Sequence, residues 1–233
     1  MIFEVTKLPT EWHRKTDSNK IHKKGEQMRD HEKWITNVQP LRSKEEVNLL
    51  LNSLKKNTGK FGQRNRLIGL IGVNAGMRIS DILALRVSML VDANHQIVKR
   101  FRNIDIKTNH TKSSNKTHYV YLNDIVRKEI AKYLKERKSR SVWLFPSSNK
   151  KGQPLSTKRY AAILNQAAAA VNLPAVGTHT LRKSFGRAHY EQFHNVPLLQ
   201  KILNHSNEAT TLRYIGQEED SVKESMESFN GFD

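Results

Sequence analysis

From Ser43 onward the apolar residues recur at helical spacing, and most runs are preceded by a residue able to cap a helix. Ser43-Lys-Glu-Glu46 has the form of a capping box, with Val47, Leu50, Leu51 and Leu54 behind it. Gly59 to Gln63 reads as a turn leading into a more apolar helix over 64–76. The next helix is predicted to begin at Ser80, capped by its hydroxyl, with Ile82, Leu83 and Leu85 inside. Asn123 precedes a run with Val126, Ile130, Tyr133 and Leu134; Ser156 or Thr157 precedes one with Tyr160, Ile163, Leu164, Ala167 and Val171. Beyond the breakers Pro174 and Gly177, three short helices are expected over 178–192, 196–204 and 207–215.

Two stretches depart from this period. Between Asn94 and Leu122, Ile104 and Ile106 alternate with polar residues, and His118-Tyr-Val-Tyr121 alternates less cleanly. The turn-rich basic segment Asn109-His-Thr-Lys-Ser-Ser-Asn-Lys116 lies between, so a small antiparallel sheet with a lysine-bearing hairpin is predicted. At the other extreme, residues 1–42 are polar with little periodicity and read as an N-terminal arm or extension. Residues 43–217 then form one mainly α domain with a small antiparallel β-sheet, an α+β class. The tail, 218–233, places Val222, Met226 and Phe229 on one stripe of an acidic amphipathic helix.

Charge changes the picture more than composition does. Forty Lys plus Arg against 22 Asp plus Glu leaves +18 on 233 residues. The segment from Gly216 onward opposes the trend, with six carboxylates and only Lys223 as a base. A basic body of this magnitude points to a polyanionic partner. The acidic tail would avoid that partner or dock on a basic neighbour. Cysteine is absent, which excludes disulfides, thiol chemistry and Cys-type zinc sites. The longest apolar stretch, Leu67 to Val73, is too short to span a bilayer, and the first residues lack the apolar core of a secretory leader. No membrane association and a cytoplasmic location are therefore expected.

Candidate chemistry collects in the C-terminal half. In His179-Thr-Leu-Arg182, the three-residue spacing puts an imidazole and a guanidinium on one helix face, where both can donate to one phosphate. Alone the pair is unremarkable, since such residues are ordinary on helix surfaces. Arg78 adds a second guanidinium just after a Gly at the mouth of a helix. His205 follows a short apolar helix, and Tyr214 comes nine residues later.

These segments, from about Ser43 to Gln217, resemble the tyrosine recombinases, the phage-integrase family. The resemblance is carried by Gly76-Met-Arg-Ile-Ser-Asp81, Lys112 in the hairpin, His179-Thr-Leu-Arg182, Leu203-Asn-His-Ser206 and Thr211-Leu-Arg-Tyr214, in that order. Twenty-three residues separate Arg182 from His205, as in the family. Leu144-Phe-Pro-Ser147 and Gly152-Gln-Pro-Leu-Ser156 are similar to its linking segment. The resemblance implies site-specific recombination of double-stranded DNA through a 3′-phosphotyrosyl intermediate, without ATP, metal or other cofactor. It implies catalytic roles for Arg78, Lys112, His179, Arg182, His205 and the nucleophile Tyr214. The arginines would neutralise the non-bridging oxygens. His205 would bond the same phosphate, and His179 would orient the site and take the tyrosine proton. The lysine would protonate the leaving 5′-oxygen; Lys107 and Lys116 compete with Lys112 for that part. A homotetramer on two DNA sites is implied, with the tail docking on a neighbour or packing on its own domain.

Three departures stand out. Asn204 replaces the usual Gly before His205, a change a left-handed backbone tolerates. Asp81 stands where Glu is frequent. About forty residues are too few for the family's helical core-binding domain, so a nearly bare catalytic domain with an accessory DNA-binding protein is expected. Two other outcomes stay open on the same residues: a type IB topoisomerase-like relaxation of DNA, and a non-catalytic DNA-binding regulator. A bacterial, phage or plasmid origin is expected. The residues do not disclose the target sequence.

Overall fold

The computed structural model describes residues 38–104, 117–173 and 176–231. Helix α1 (Lys44–Lys56) begins as its sequence demands: the Ser43 hydroxyl accepts from the Glu46 N–H at 3.1 Å, and the Glu46 carboxylate accepts from the Arg42 N–H at 2.7 Å. Its buried face, Leu50, Leu51 and Leu54, packs on α2 (Gly62–Ala75). Helix α2 buries Leu67, Ile68, Leu70 and Ile71 and also contacts α4 (Asp124–Glu136) and α6 (Thr178–Phe193). That all-round burial is what an apolar central helix requires. Helix α5 (Thr157–Ala169), capped by Ser156, closes one side. The fully buried Tyr160 donates its hydroxyl to the Asn65 carbonyl at 3.1 Å, which ties α5 to α2.

The sheet has two antiparallel strands, β1 (Arg100–Ile104) and β2 (Thr117–Tyr121). Arg100 pairs with Tyr121, Phe101 with Val120 and Arg102 with Tyr119. Phe101 and Val120 face the core, so the period of two turns Arg100, Arg102, Tyr119 and Tyr121 the other way. Asn123 caps α4 directly after β2, its side chain accepting from the Val126 N–H at 3.0 Å. The hairpin turn, and with it Lys107, Lys112 and Lys116, lies outside the described residues.

After α6 come α7 (Val196–Leu203), α8 (Glu208–Ile215) and α9 (Gln217–Ser228). Leu199, Leu203 and Ile215 form a second, smaller core, with Phe185, Tyr190 and Tyr214 against it. Asn207 caps α8 by accepting from the Thr210 N–H at 2.7 Å. A Cβ on Gly186 of α6 would meet the Ile215 side chain at 2.8 Å, so α8 lies against α6 more closely than any larger residue permits. Among the described residues no helix is long and apolar enough to cross a membrane.

Three expectations are corrected. Helix α3 (Ile79–Leu83) starts one residue before Ser80, and its N-cap is Arg78. The Ser80 hydroxyl donates instead to Asp81 at 3.4 Å, and α3 begins without any side-chain cap. Helix α2 starts inside the expected turn, because a 3₁₀ turn at Gly59–Phe61 runs straight into it. The tail helix ends at Ser228, so Phe229 follows the helix in extended backbone and does not continue its stripe.

Candidate active site

Arg182 joins the site together. Its residue is 6% exposed, and its guanidinium donates to the Gly76 carbonyl at 2.7 Å and to the Leu203 carbonyl. Gly76 lies two residues before Arg78, and Leu203 two before His205. One buried side chain thus draws the loop that carries Arg78 and the loop that carries His205 onto α6. Both carbonyls terminate helices, where backbone acceptors lack intrahelical donors. Gly76 ends α2 at φ +60°, and a Cβ there would stand 2.4 Å from the Phe185 ring. The left-handed turn and the close approach of Phe185 both require glycine. Asn204 ends α7 at φ 49°, the left-handed geometry expected of it.

The imidazoles flank the phenol. The Tyr214 hydroxyl is 3.4 Å from His179 Nδ1, and the two rings meet edge to face with centroids 6.5 Å apart. The His205 ring is also edge to face with Tyr214, at 5.0 Å. His205 Nδ1 is 3.1 Å from the Thr211 hydroxyl, which itself donates to the Asn207 carbonyl at 3.2 Å. The Thr211 oxygen therefore accepts from Nδ1–H, and this network assigns the tautomer that leaves Nε2 a lone pair. Gln200 holds the His205 carbonyl at 3.2 Å.

Burial and cations set the protonation states. Burial, then Arg182 and Arg78, push the His205 imidazole down to about 4, so it is neutral at pH 7. Burial raises the Tyr214 phenol above its ordinary value; Arg182 and Arg78 pull the other way, as does a hydrogen bond from Arg182, without overcoming it. At rest the Tyr214 phenol is protonated and lies among cations, a setting that favours an arriving anion.

Of the six residues singled out in the sequence, the structure gathers five: Arg78, His179, Arg182, His205 and Tyr214. Lys112 lies outside the described residues. Two neighbours escaped the sequence reading. The Thr211 hydroxyl orients His205, and its signal was its place in the Thr-x-x-Tyr segment. The Lys183 ammonium stands 5.6 Å from the centroid of the Tyr214 ring, and its signal was the i,i+4 spacing from His179. Among the described residues no cluster of three or more His, Asp or Glu could hold a metal ion.

Residues 41–220 match the Phage integrase family. Over 194 residues the chain is 34% identical to the probable integrase/recombinase YoeC of Bacillus subtilis, covering 83% of this chain and 98% of that relative. It is 27% identical over 188 residues to tyrosine recombinase XerC of Caldanaerobacter subterraneus, covering 78% of this chain but only 48% of XerC. The fold is similar to that of XerA recombinase, with a TM-score of 0.60 at 17% identity over 84% of this chain and 68% of XerA. It is also similar to the catalytic domain of bacteriophage HP1 integrase, with a TM-score of 0.51 at 19% identity over 79% of this chain and 94% of that domain. A mainly helical domain with a small antiparallel sheet and this array of residues defines a tyrosine recombinase. The chain belongs to the phage integrase family, and its activity is site-specific DNA recombination.

Proposed function

We propose that residues 43–217 cut and rejoin duplex DNA with Tyr214 as nucleophile. The tyrosine oxygen attacks phosphorus, and the P–O5′ bond breaks as the P–O(Tyr) bond forms. His179 takes the phenolic proton, a role its 3.4 Å separation from the hydroxyl supports. The leaving 5′-oxygen receives a proton from the hairpin lysine, Lys112. Arg78 and Arg182 stabilise the charge that builds on the non-bridging oxygens. His205 bonds the same phosphate through Nε2 once it is protonated: burial first, then Arg182 and Arg78, oppose that charge, and the phosphate anion offsets the arginines. A 5′-hydroxyl from the partner strand reverses the sequence and reseals the chain.

The observation that carries this reading is the convergence of two imidazoles and two guanidiniums on one phenol. XerH has been solved bound to a difH substrate in a post-cleavage complex, which supports duplex DNA as the partner here. The exposed Val222, Met226 and Phe229 of the tail support assembly of several copies through residues 218–233, a tetramer on two sites in this scheme. An accessory DNA-binding protein belongs to the same scheme. The test is a covalent-adduct assay with nicked DNA from around the gene. A slow, protease-sensitive band with wild type and none with Tyr214→Phe is expected; a band that persists in Tyr214→Phe would mean a different nucleophile.

A further inference from the structure

The outward face of the sheet carries an arrangement outside the residues assigned to cleavage. Tyr119 and Tyr121 stand on one face of β2 with 55% and 63% of their surface exposed. Across from them, on β1, are Arg102 and Arg100. The Arg100 guanidinium lies 4.6 Å from the centroid of the Tyr119 ring and 6.0 Å from that of Tyr121, and it donates to the Tyr121 hydroxyl at 3.3 Å. Neither strand contains a carboxylate. Cross-strand Arg–Tyr pairs stabilise a sheet modestly, but that does not call for two large rings left open to solvent.

We propose that this face is a stacking platform for unpaired bases of a single DNA strand. Exposed tyrosines and a guanidinium plane are the surfaces on which unpaired bases stack, and every base presents a π-face. Paired bases in a duplex are stacked on one another and present no such face, so the platform selects the unpaired strand. Arg102 and the exposed Lys99 supply charge for its phosphates. The platform also adjoins the site: Tyr119, Tyr121, Lys99, Gly76 and Arg182 line one cavity of about 710 Å³, with the carboxylates Asp81 and Asp124 also in its wall. This inference rests on the cleavage reading, in which strand exchange frees a 5′-ended strand beside Arg182. The platform would hold the bases of that strand while it is unpaired.

The experiment is fluorescence anisotropy of the full chain with labelled oligothymidylate of about 12 nucleotides and with a duplex of the same length. Tyr119→Ala/Tyr121→Ala should weaken oligothymidylate binding about tenfold or more, from the stacking of two bases, and change duplex binding by less than about twofold. Tyr119→Phe/Tyr121→Phe keeps the rings and should bind like wild type. Equal losses on both DNAs, unchanged oligothymidylate affinity in the alanine variant, or a loss in the phenylalanine variant as large as in alanine would each overturn the platform. Retained duplex binding and an unchanged thermal midpoint show that the variants fold. Wild type that binds oligothymidylate through the tyrosines yet forms no Tyr214 adduct would overturn the cleavage reading and leave the platform standing.

Discussion

The guanidinium of Arg182 donates to the main-chain carbonyl of Gly76 at 2.7 Å, across 106 residues of sequence. It does the same to Leu203, so the side chain holds two loops together beside the role in phosphate binding proposed for it. A lysine has one point of charge and no fork, and cannot reach both carbonyls in one geometry. Arg182→Lys should therefore abolish adduct formation and also destabilise the fold by about 1–3 kcal/mol, the cost of leaving a buried acceptor unmet. Thermal unfolding beside the adduct assay checks this. A variant that loses activity at an unchanged midpoint would mean that the carbonyl contacts carry no stability.

His205 gives the protein an acid-sensitive joint. Its folded value of about 4 lies below the ordinary 6.5, so the unfolded chain binds the extra proton between these values. Stability from this group is fully present above pH 6.5 and is lost as pH falls toward 4. The loss amounts to about 1–2 kcal/mol once solvent screening of a partly exposed ring is allowed for. Thermal midpoints measured from pH 7.5 down to 4 should decline over this window in wild type and less in His205→Gln. Removing one of the suppressing charges, in Arg78→Gln, should raise the imidazole titration followed by NMR. An unmoved titration would place Arg78 too far away to act on His205.

Lys183 meets Tyr214, the proposed nucleophile, from its ring face, 5.6 Å from the centroid. Burial lowers its ammonium pKa, and Glu219 at the start of α9 counters this. The side chain thus stands between the tyrosine and the helix that follows it. Lys183→Met keeps the apolar stem and removes the charge. Adduct formation with saturating DNA should slow by about 3–10-fold, the size of a cation–π contact, with apparent DNA affinity little changed. Lys183→Arg should restore most of the rate. If Lys183→Met cuts at the wild-type rate, the lysine is a bystander on α6.

The legibility of these features follows the range of the interactions behind them. Ser43, Asn123 and Ser156 cap helices through bonds spanning three residues, and those helices could be read from the sequence. Helix α3 begins at Ile79 with no side-chain cap, so its start left no local mark. The candidate site residues were legible through their resemblance to the tyrosine recombinase motifs, which run along the chain in the family's order. What remained hidden was set by tertiary closure: the carbonyl partners of Arg182, the ring beneath Lys183 and the exposure of Tyr119 and Tyr121. The pairing of Arg42 with Asp220, 178 residues away, belongs to the same group.

That last pairing determines how α9 is held. No residue of α9 is buried, and apolar packing contributes little to its position. Asp220 instead accepts from Arg187 of α6 and, at 3.1 Å, from Arg42; Arg187 also pairs with Glu191 at 2.7 Å. The hydrogen bond from Arg187, with further help from its charge and from Arg42, holds the Asp220 carboxyl below its ordinary 3.8. This contribution is present at neutral pH and is lost as pH falls below that ordinary value. Asp220→Asn keeps the shape and removes the charge, so amide hydrogen exchange across 217–228 should quicken while exchange in α2 is unchanged. Raising salt from about 0.1 M to 1 M should loosen α9 in wild type in the same direction but less, through the Arg42–Asp220 pair, whose arginine is 55% exposed, since screening reaches exposed pairs first and the Arg187–Asp220 pair is largely shielded. Exchange in α9 that ignores both the substitution and the salt would mean that something other than these ion pairs fixes the helix that follows Tyr214.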